Sequence, residues 1–289
     1  MSDESAPIDR ILARALEAAT GLDAPPGLAA ALRHAVFPGG ARIRPRLSLA
    51  VAEACGMPHP ALSGAVAAAI EFVHCASLVH DDLPCFDDSA LRRGRPSVHV
   101  QFGAPLAVLA GDALIVQGFD TLARGCGEAP HLLPKLVSLL AGCSGMPYGI
   151  AGGQGWECEP RVDPVAYARA KTGALFAAAT MGGAASAGEA PEPWRVFGEQ
   201  LGLAYQLADD LADLLSDPTA IGKPVGRDRV LGRPNTAHLL GQDSACARLE
   251  TLVADAVAAI PACRNREQLR SLVAAEVRRL LPPDLSRAA

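Results

Sequence analysis

LSGAVAAAIEFVHCASLVHDDLPCFDD, running from Leu62 to Asp88, decides how this 289-residue chain is read. Leu62, Val66, Ile70, Val73 and Leu78 recur at the three-to-four spacing of a buried helix, set among alanines that favour the same conformation. His74 rides on that helix two turns before Asp81, and Pro84 then disturbs it. Asp81, Asp82, Asp87 and Asp88 therefore gather where a helix C-terminus already carries negative partial charge. So much like charge in one place is unfavourable without cations, and the stretch predicts a core helix that delivers carboxylates to a metal.

The rest of the chain has the same character. Half of its residues are apolar but only 4% are aromatic, and alanine and leucine dominate, which favours helices over strands. SAPIDRILARALEAAT opens with a serine and a proline ahead of an amphipathic helix, and comparable segments lie near 41–54, 60–79, 103–124, 131–144, 163–187, 191–216, 243–259 and 265–281. Breakers separate them at 38–40, 57–60, 125–127, 151–155 and 190–193. No gap is long or compositionally distinct, so the expectation is one all-α, single-domain bundle over 1–289 with a core from about 8 to 282.

A second acidic cluster, YQLADDLADLL, supplies Asp209, Asp210 and Asp213. On a helix Asp209 and Asp213 share a face and repel each other while Leu207, Leu211 and Leu214 point elsewhere. Two such clusters facing each other across a bundle make an oxygen-lined cavity suited to a hard divalent ion, here magnesium, which bridges to substrate phosphates. Arg92 and Arg93 follow the first cluster, Lys171 sits in AKTGALF and Lys223 in GKPVGRD. Forked guanidinium contacts and mobile lysine charges suit a polyphosphorylated small molecule.

Other classes fit poorly. A net charge of −5 argues against a nucleic-acid binder. MSDESAPIDR lacks the basic start and apolar run of a secretory signal, and the apolar stretch 103–116 is short and holds Asp112, so a cytoplasmic protein without membrane insertion is expected. The eight cysteines form no Cys-x-x-Cys pair and read as small core residues in a reducing compartment.

These residues resemble the trans-type isoprenyl diphosphate synthases. DDLPCFD looks like the family's first aspartate-rich motif and YQLADDLAD like its second; GGARIRP, LRRGRP, LAGDAL, KTG and GKPVGRD fall in the family's order over about 35–240. Within the family the likeness is strongest to geranylgeranyl diphosphate synthases of the carotenoid and bacteriochlorophyll pathways of purple photosynthetic bacteria. The resemblance implies a helical bundle with a deep central cavity, usually a homodimer. It implies metal binding by Asp81, Asp82, Asp87, Asp209, Asp210 and Asp213, with about three magnesium ions per loaded site. Arg92, Lys171 and Lys223 would hold an allylic diphosphate (dimethylallyl, geranyl or farnesyl). Arg42, Arg44, His74 and Arg93 would hold isopentenyl diphosphate. Of the catalytic residues Lys171, Thr172 and Gln206, the lysine would stabilise the departing diphosphate and the other two would line the carbocation, to which Tyr205 could add its ring face.

In the family a large aromatic five residues before the first aspartate ends elongation, and Ala76 stands there. The expected product has twenty carbons, with Val73 and Phe72 as candidates for a deeper floor. Ala41 departs from the family, whose GGKR lysine contacts isopentenyl diphosphate; Arg42 is the nearest replacement. The alternatives are a farnesyl diphosphate synthase, a non-catalytic regulatory subunit of a heteromeric synthase, and a class I terpene cyclase, against which DDLAD speaks. In AGGQGWE the glycines read as a helix break from which Gln154 could reach the cavity, and Gly173 as a possible kink.

Overall fold

A computed structural model describes residues 6–17, 19–37, 39–215 and 236–280. Eleven helices lead through the first part: α1 (Ala6–Glu17), α2 (Pro26–Val36), α3 (Ile43–Ala54), α4 (Pro60–Asp81), α5 (Val98–Phe102), α6 (Ala104–Gly125), α7 (Leu133–Ser144), α8 (Ile150–Trp156), α9 (Pro164–Ala168), α10 (Ala174–Ser186) and α11 (Arg195–Leu215). Helices Thr236–Leu240, Gln242–Ala258 and Arg266–Leu280 follow. Among the described residues the only sheet is a hairpin of β1 (Leu91–Arg92) and β2 (Arg95–Pro96).

The all-α expectation holds because α10 carries no charged side chain and α4 none before Glu71, so both have to lie inside. Every residue of α10 is buried. It packs on α3, α4, α7 and α11, while α4 packs on α6. The two faces of α4 enter different parts of the core. Val66, Ile70 and Val73 meet α3, α7 and α10; Ala68, Phe72, Ala76 and Val79 meet α1, α2 and α6. Truncating the fully buried Phe72 to alanine would cost about 3–5 kcal/mol.

Three features differ from the sequence expectation. The glycine-rich stretch 151–155, read as a break, lies inside α8. The segment 163–187 is not one regular helix, because Arg169–Gly173 forms a π turn between α9 and α10. Helix α2 lies outside the segments expected from periodicity; its Pro26 occupies the first helical turn, where a missing N–H costs nothing.

Helices α4 and α6 are long and apolar enough to cross a membrane by length and composition. The apolar window of α4 is 83% buried within the protein, as expected of a core helix. That of α6 is 44% buried and leaves Val108, Leu109 and Val116 exposed.

Candidate active site

A cavity of about 900 Å³ opens between the C-terminal end of α4, the hairpin, α6, α8, the π turn and α11. Its size lies at the upper end of small-molecule sites. Asp81 lines it from α4 and Asp209 from α11, so both acidic motifs reach one space. Below them the walls turn apolar, with Val73, Leu78, Ile115, Ile150 and Leu175.

The loop after α4 folds back on itself. Asp87 N–H donates to the Asp81 carbonyl at 2.9 Å and Asp88 N–H to that of Leu83 at 3.0 Å. This turn brings Asp87 beside Asp81, and Glu157 at the end of α8 joins them; carboxylate oxygens of the three lie within 4.8 Å of one another. Three hard oxygen donors so close fit a divalent cation.

Glu157 belongs to a tight network. It accepts from Lys171 Nζ, from the Tyr167 hydroxyl at 2.6 Å and from Gln154 Nε2 at 3.0 Å. Lys171 Nζ also reaches Asp81 Oδ1 at 3.4 Å. Reading the sequence around the two aspartate motifs missed Glu157 and Tyr167. The usable signal was a Gln and a Glu three apart, which share a helix face once 151–155 is seen as helical.

The remaining aspartates divide by direction. Asp82, two per cent exposed, points away from the cluster and receives Arg92 in a fork, Nη2 at 2.5 Å and Nε at 3.0 Å from Oδ1. Burial pushes its carboxyl up, and Arg92 opposes the shift. Asp210 is also turned inward. Its Oδ1 accepts from Gln206 Nε2 at 2.9 Å and its Oδ2 from the Thr236 N–H at 2.9 Å. The structure therefore does not bring Asp82 or Asp210 to the carboxylate cluster, because each is spent on an internal partner. Lys223 lies outside the described residues, as does the side chain of Asp213.

Thr172 and Gln206 meet as expected of neighbours lining one site. Thr172 Oγ1 donates to Gln206 Oε1 at 2.6 Å, and Asp210 orients the amide from the other side. The π turn sets this up, since its extra residue advances Lys171 and Thr172 relative to a regular helix, as such turns do at functional sites. Close packing holds it: a Cβ on Gly202 would stand 2.7 Å from Gly173 Cα.

Positive charge collects on a third side. Arg44, His74 and Arg93 line the cavity there, while Arg92 lines it beside the carboxylates, its Nη2 3.8 Å from Asp81 Oδ2 as well as bonded to Asp82. The Arg44 guanidinium lies over Phe176, 4.6 Å from the ring centroid, with Nη1 3.4 Å from His74 Nε2. Its Nε is shielded from solvent and has no hydrogen-bond partner, which points to an anion as the missing acceptor. Burial, and then Arg44 and Arg93, drive His74 well below its usual range, so the ring is neutral near pH 7. Tyr205 also lines the cavity, with its ring beside Phe176 and 6.0 Å from the Arg44 guanidinium carbon.

Arg42 is elsewhere. It is three per cent exposed and bonds Glu71 at 2.5 Å, Asp9 at 3.0 Å and the Val36 carbonyl at 2.7 Å. Its left-handed backbone turns it under the loop and locks α1 to α4, so it does not reach the cavity as the sequence reading required. Ala76 and Phe72 do not line the cavity either. Val73, Ser77 and Asp81 repeat every fourth residue on one face of α4, and Ala76 is turned roughly 100° from Ser77 toward α6.

Residues 25–265 match the polyprenyl synthetase family. The chain is 49% identical over 279 residues to the geranylgeranyl diphosphate synthase of Cereibacter sphaeroides, covering 96% of this chain and 97% of that one. Among solved structures it resembles an apo FPP/GFPP synthase from Zymomonas mobilis, with TM-score 0.80, 32% identity and 94% and 95% of the two chains covered. It also resembles a geranyltransferase from Helicobacter pylori complexed with magnesium and isoprenyl diphosphate, with TM-score 0.79, 27% identity and 96% and 98% covered.

Proposed function

The chain belongs to the polyprenyl synthetase family, and from that premise we propose that it is a magnesium-dependent prenyltransferase that joins isopentenyl diphosphate head-to-tail to an allylic diphosphate, making geranylgeranyl diphosphate. The observation that carries this reading is one cavity with three chemistries: carboxylates at Asp81, Asp87, Glu157 and Asp209, cations at Arg44, Arg92, Arg93 and Lys171, and an apolar interior.

Magnesium, three ions per loaded site in this reading, would be held by Asp81, Asp87 and Glu157 and from the far wall by Asp209, and supplies positive charge to the departing diphosphate. Lys171 and Arg92 add protein charge on the same side, favouring cleavage of the allylic carbon–oxygen bond. The Thr172–Gln206 pair turns oxygen dipoles toward the cationic carbon, and apolar walls keep water from it. Arg44, His74 and Arg93 hold the second diphosphate while its double bond attacks. The proton lost afterwards goes to the released diphosphate, since none of the carboxylates is spared from cation binding.

Incubation with labelled isopentenyl diphosphate, magnesium and dimethylallyl, geranyl or farnesyl diphosphate tests the reading. A magnesium-dependent twenty-carbon alcohol after dephosphorylation is expected. A fifteen-carbon product would make the chain a farnesyl diphosphate synthase, and no product with any primer would overturn the assignment. We further place the protein in the cytoplasm as a single domain and a homodimer, with a second copy covering Val108, Leu109 and Val116 of α6. A Val116→Asp variant that sediments as the wild type does would refute that interface.

A further inference from the structure

The hairpin that presents Arg92 and Arg93 has two residues per strand, too few to hold its shape alone. Its turn residues, Arg93 and Gly94, have φ of 53° and 74°, the pattern of a type I′ turn. Glycine adopts it freely, whereas arginine is strained there, a cost that persists only where neighbours enforce it. On one flank the enforcing neighbour is Asp82, which grips Arg92.

On the other flank it is His34, from the last turn of α2. His34 Nε2 donates to the Pro96 carbonyl at 2.8 Å, and its Nδ1 accepts from Arg95 Nη2 at 3.0 Å. The other arm of the Arg95 fork donates to the Phe37 carbonyl at 2.9 Å. Only a neutral imidazole with its proton on Nε2 satisfies both of its contacts. Phe102 stands edge-on to the ring, with centroids 5.3 Å apart. Phe37 caps α2, and the Arg93 guanidinium lies against Gly40 ahead of α3, where a Cβ on that glycine would meet Nε at 3.0 Å.

We propose that His34 and Arg95 are positioning residues that clasp the hairpin to the C-terminal end of α2 and so bring Arg93, beside Gly40, into register with Arg44 and His74 at the isopentenyl diphosphate position. The assignment of that ligand rests on the prenyltransferase reading; the clasp itself does not. Arg92 has Asp82 to hold it, but among the described residues no carboxylate pairs with Arg93. Loosening the clasp therefore acts on the Arg93 ligand and spares the allylic diphosphate.

Two full-length variants test this. His34→Phe keeps a ring against Phe102 and loses both hydrogen bonds; Arg95→Lys keeps the charge and loses the fork. Each is expected to raise KM for isopentenyl diphosphate about fivefold to tenfold, as loss of one or two solvent-facing hydrogen bonds implies. KM for the allylic substrate stays within about twofold and kcat within about threefold, and the double variant is no worse than the more severe single one. Amide exchange over residues 89–97 should quicken by a similar factor, with α4 unchanged. Unaltered exchange overturns the clasp, and so does an equal rise in both KM values with a fall in kcat. Calorimetric titration with inorganic pyrophosphate separates this from the parent reading. If wild-type protein makes no prenyl product, the prenyltransferase assignment fails, while a weaker pyrophosphate affinity in His34→Phe still supports the clasp and an unchanged one refutes it.

Discussion

Replacing Glu157 with glutamine is expected to raise the magnesium concentration needed for half-maximal rate about tenfold to thirtyfold. The substitution preserves shape, and the amide oxygen still accepts from Tyr167, so what disappears is one negative charge beside Asp81, Asp87 and Lys171. Two unit charges about 4 Å apart interact by roughly 4 kcal/mol at an effective dielectric constant of 20. The site opens to solvent, and screening reduces that to about 1.5–2 kcal/mol, or about tenfold to thirtyfold in cation affinity. A second effect has the same sign. Glu157 shares Lys171 with Asp81, and without it the ammonium settles on Asp81 and competes with the metal.

The assay is initial rate against magnesium at saturating substrates, paired with manganese binding followed by electron paramagnetic resonance in the presence of pyrophosphate. Manganese affinity should fall by the same factor even where no turnover occurs. Asp82→Asn is the control, because Asp82 faces Arg92: it should raise KM for the allylic diphosphate and leave the magnesium requirement within about twofold. If Glu157→Gln shows wild-type manganese affinity and magnesium dependence, Glu157 is a packing partner of Lys171 and no part of the cation site.

Arg44→Met should abolish measurable isopentenyl diphosphate binding yet raise Tm by about 2 °C, since it removes an uncompensated charge and leaves a side chain that packs on Phe176; a lower Tm would contradict this. His74 is held well below its usual range, so between its folded pKa and about pH 6.5 the unfolded chain binds a proton that the folded chain refuses. Stability should therefore fall as pH drops below about 6.5, by up to about 1.4 kcal/mol per pH unit, and urea midpoints of His74→Asn should lose that slope. Val73→Phe should shorten the prenyl product, whereas Ala76→Phe should mainly destabilise by about 1–3 kcal/mol through overpacking against α6; product analysis and thermal melts that reverse this order would return the chain-length floor to Ala76.

The helices of this bundle were legible because alanine and leucine write their period plainly, and α4 can be drawn from Leu62, Val66, Ile70 and Val73 alone. Asp81 and Asp209 were legible because like charges cluster at a cost the sequence displays. Rotation was harder to read. Asp81 and Asp82 are neighbours in sequence, but 100° of helix separates a residue on the cavity from one gripped by Arg92, and the same rotation separates Ser77 on the cavity from Ala76 off it. Arg42 failed because its left-handed backbone, invisible in the letters GGARIRP, sends it inward to Glu71 and Asp9. Glu157 was hidden behind glycines that look like a break and form a helix because α8 packs against the π turn.

The charges left over explain why such a site works on diphosphates and metal together. Burial, and then the charges of Arg44 and Arg93, keep His74 neutral on a wall that is positive, while Asp81, Asp87 and Glu157 crowd negative charge with Lys171 as partial relief. Each cluster is destabilising alone, and they sit on different walls of one cavity, so neither neutralises the other. A diphosphate resolves the first, and a cation–diphosphate pair resolves the second. Binding energy that would otherwise be lost to reorganising flexible side chains is thus available when negative charge develops on the leaving group.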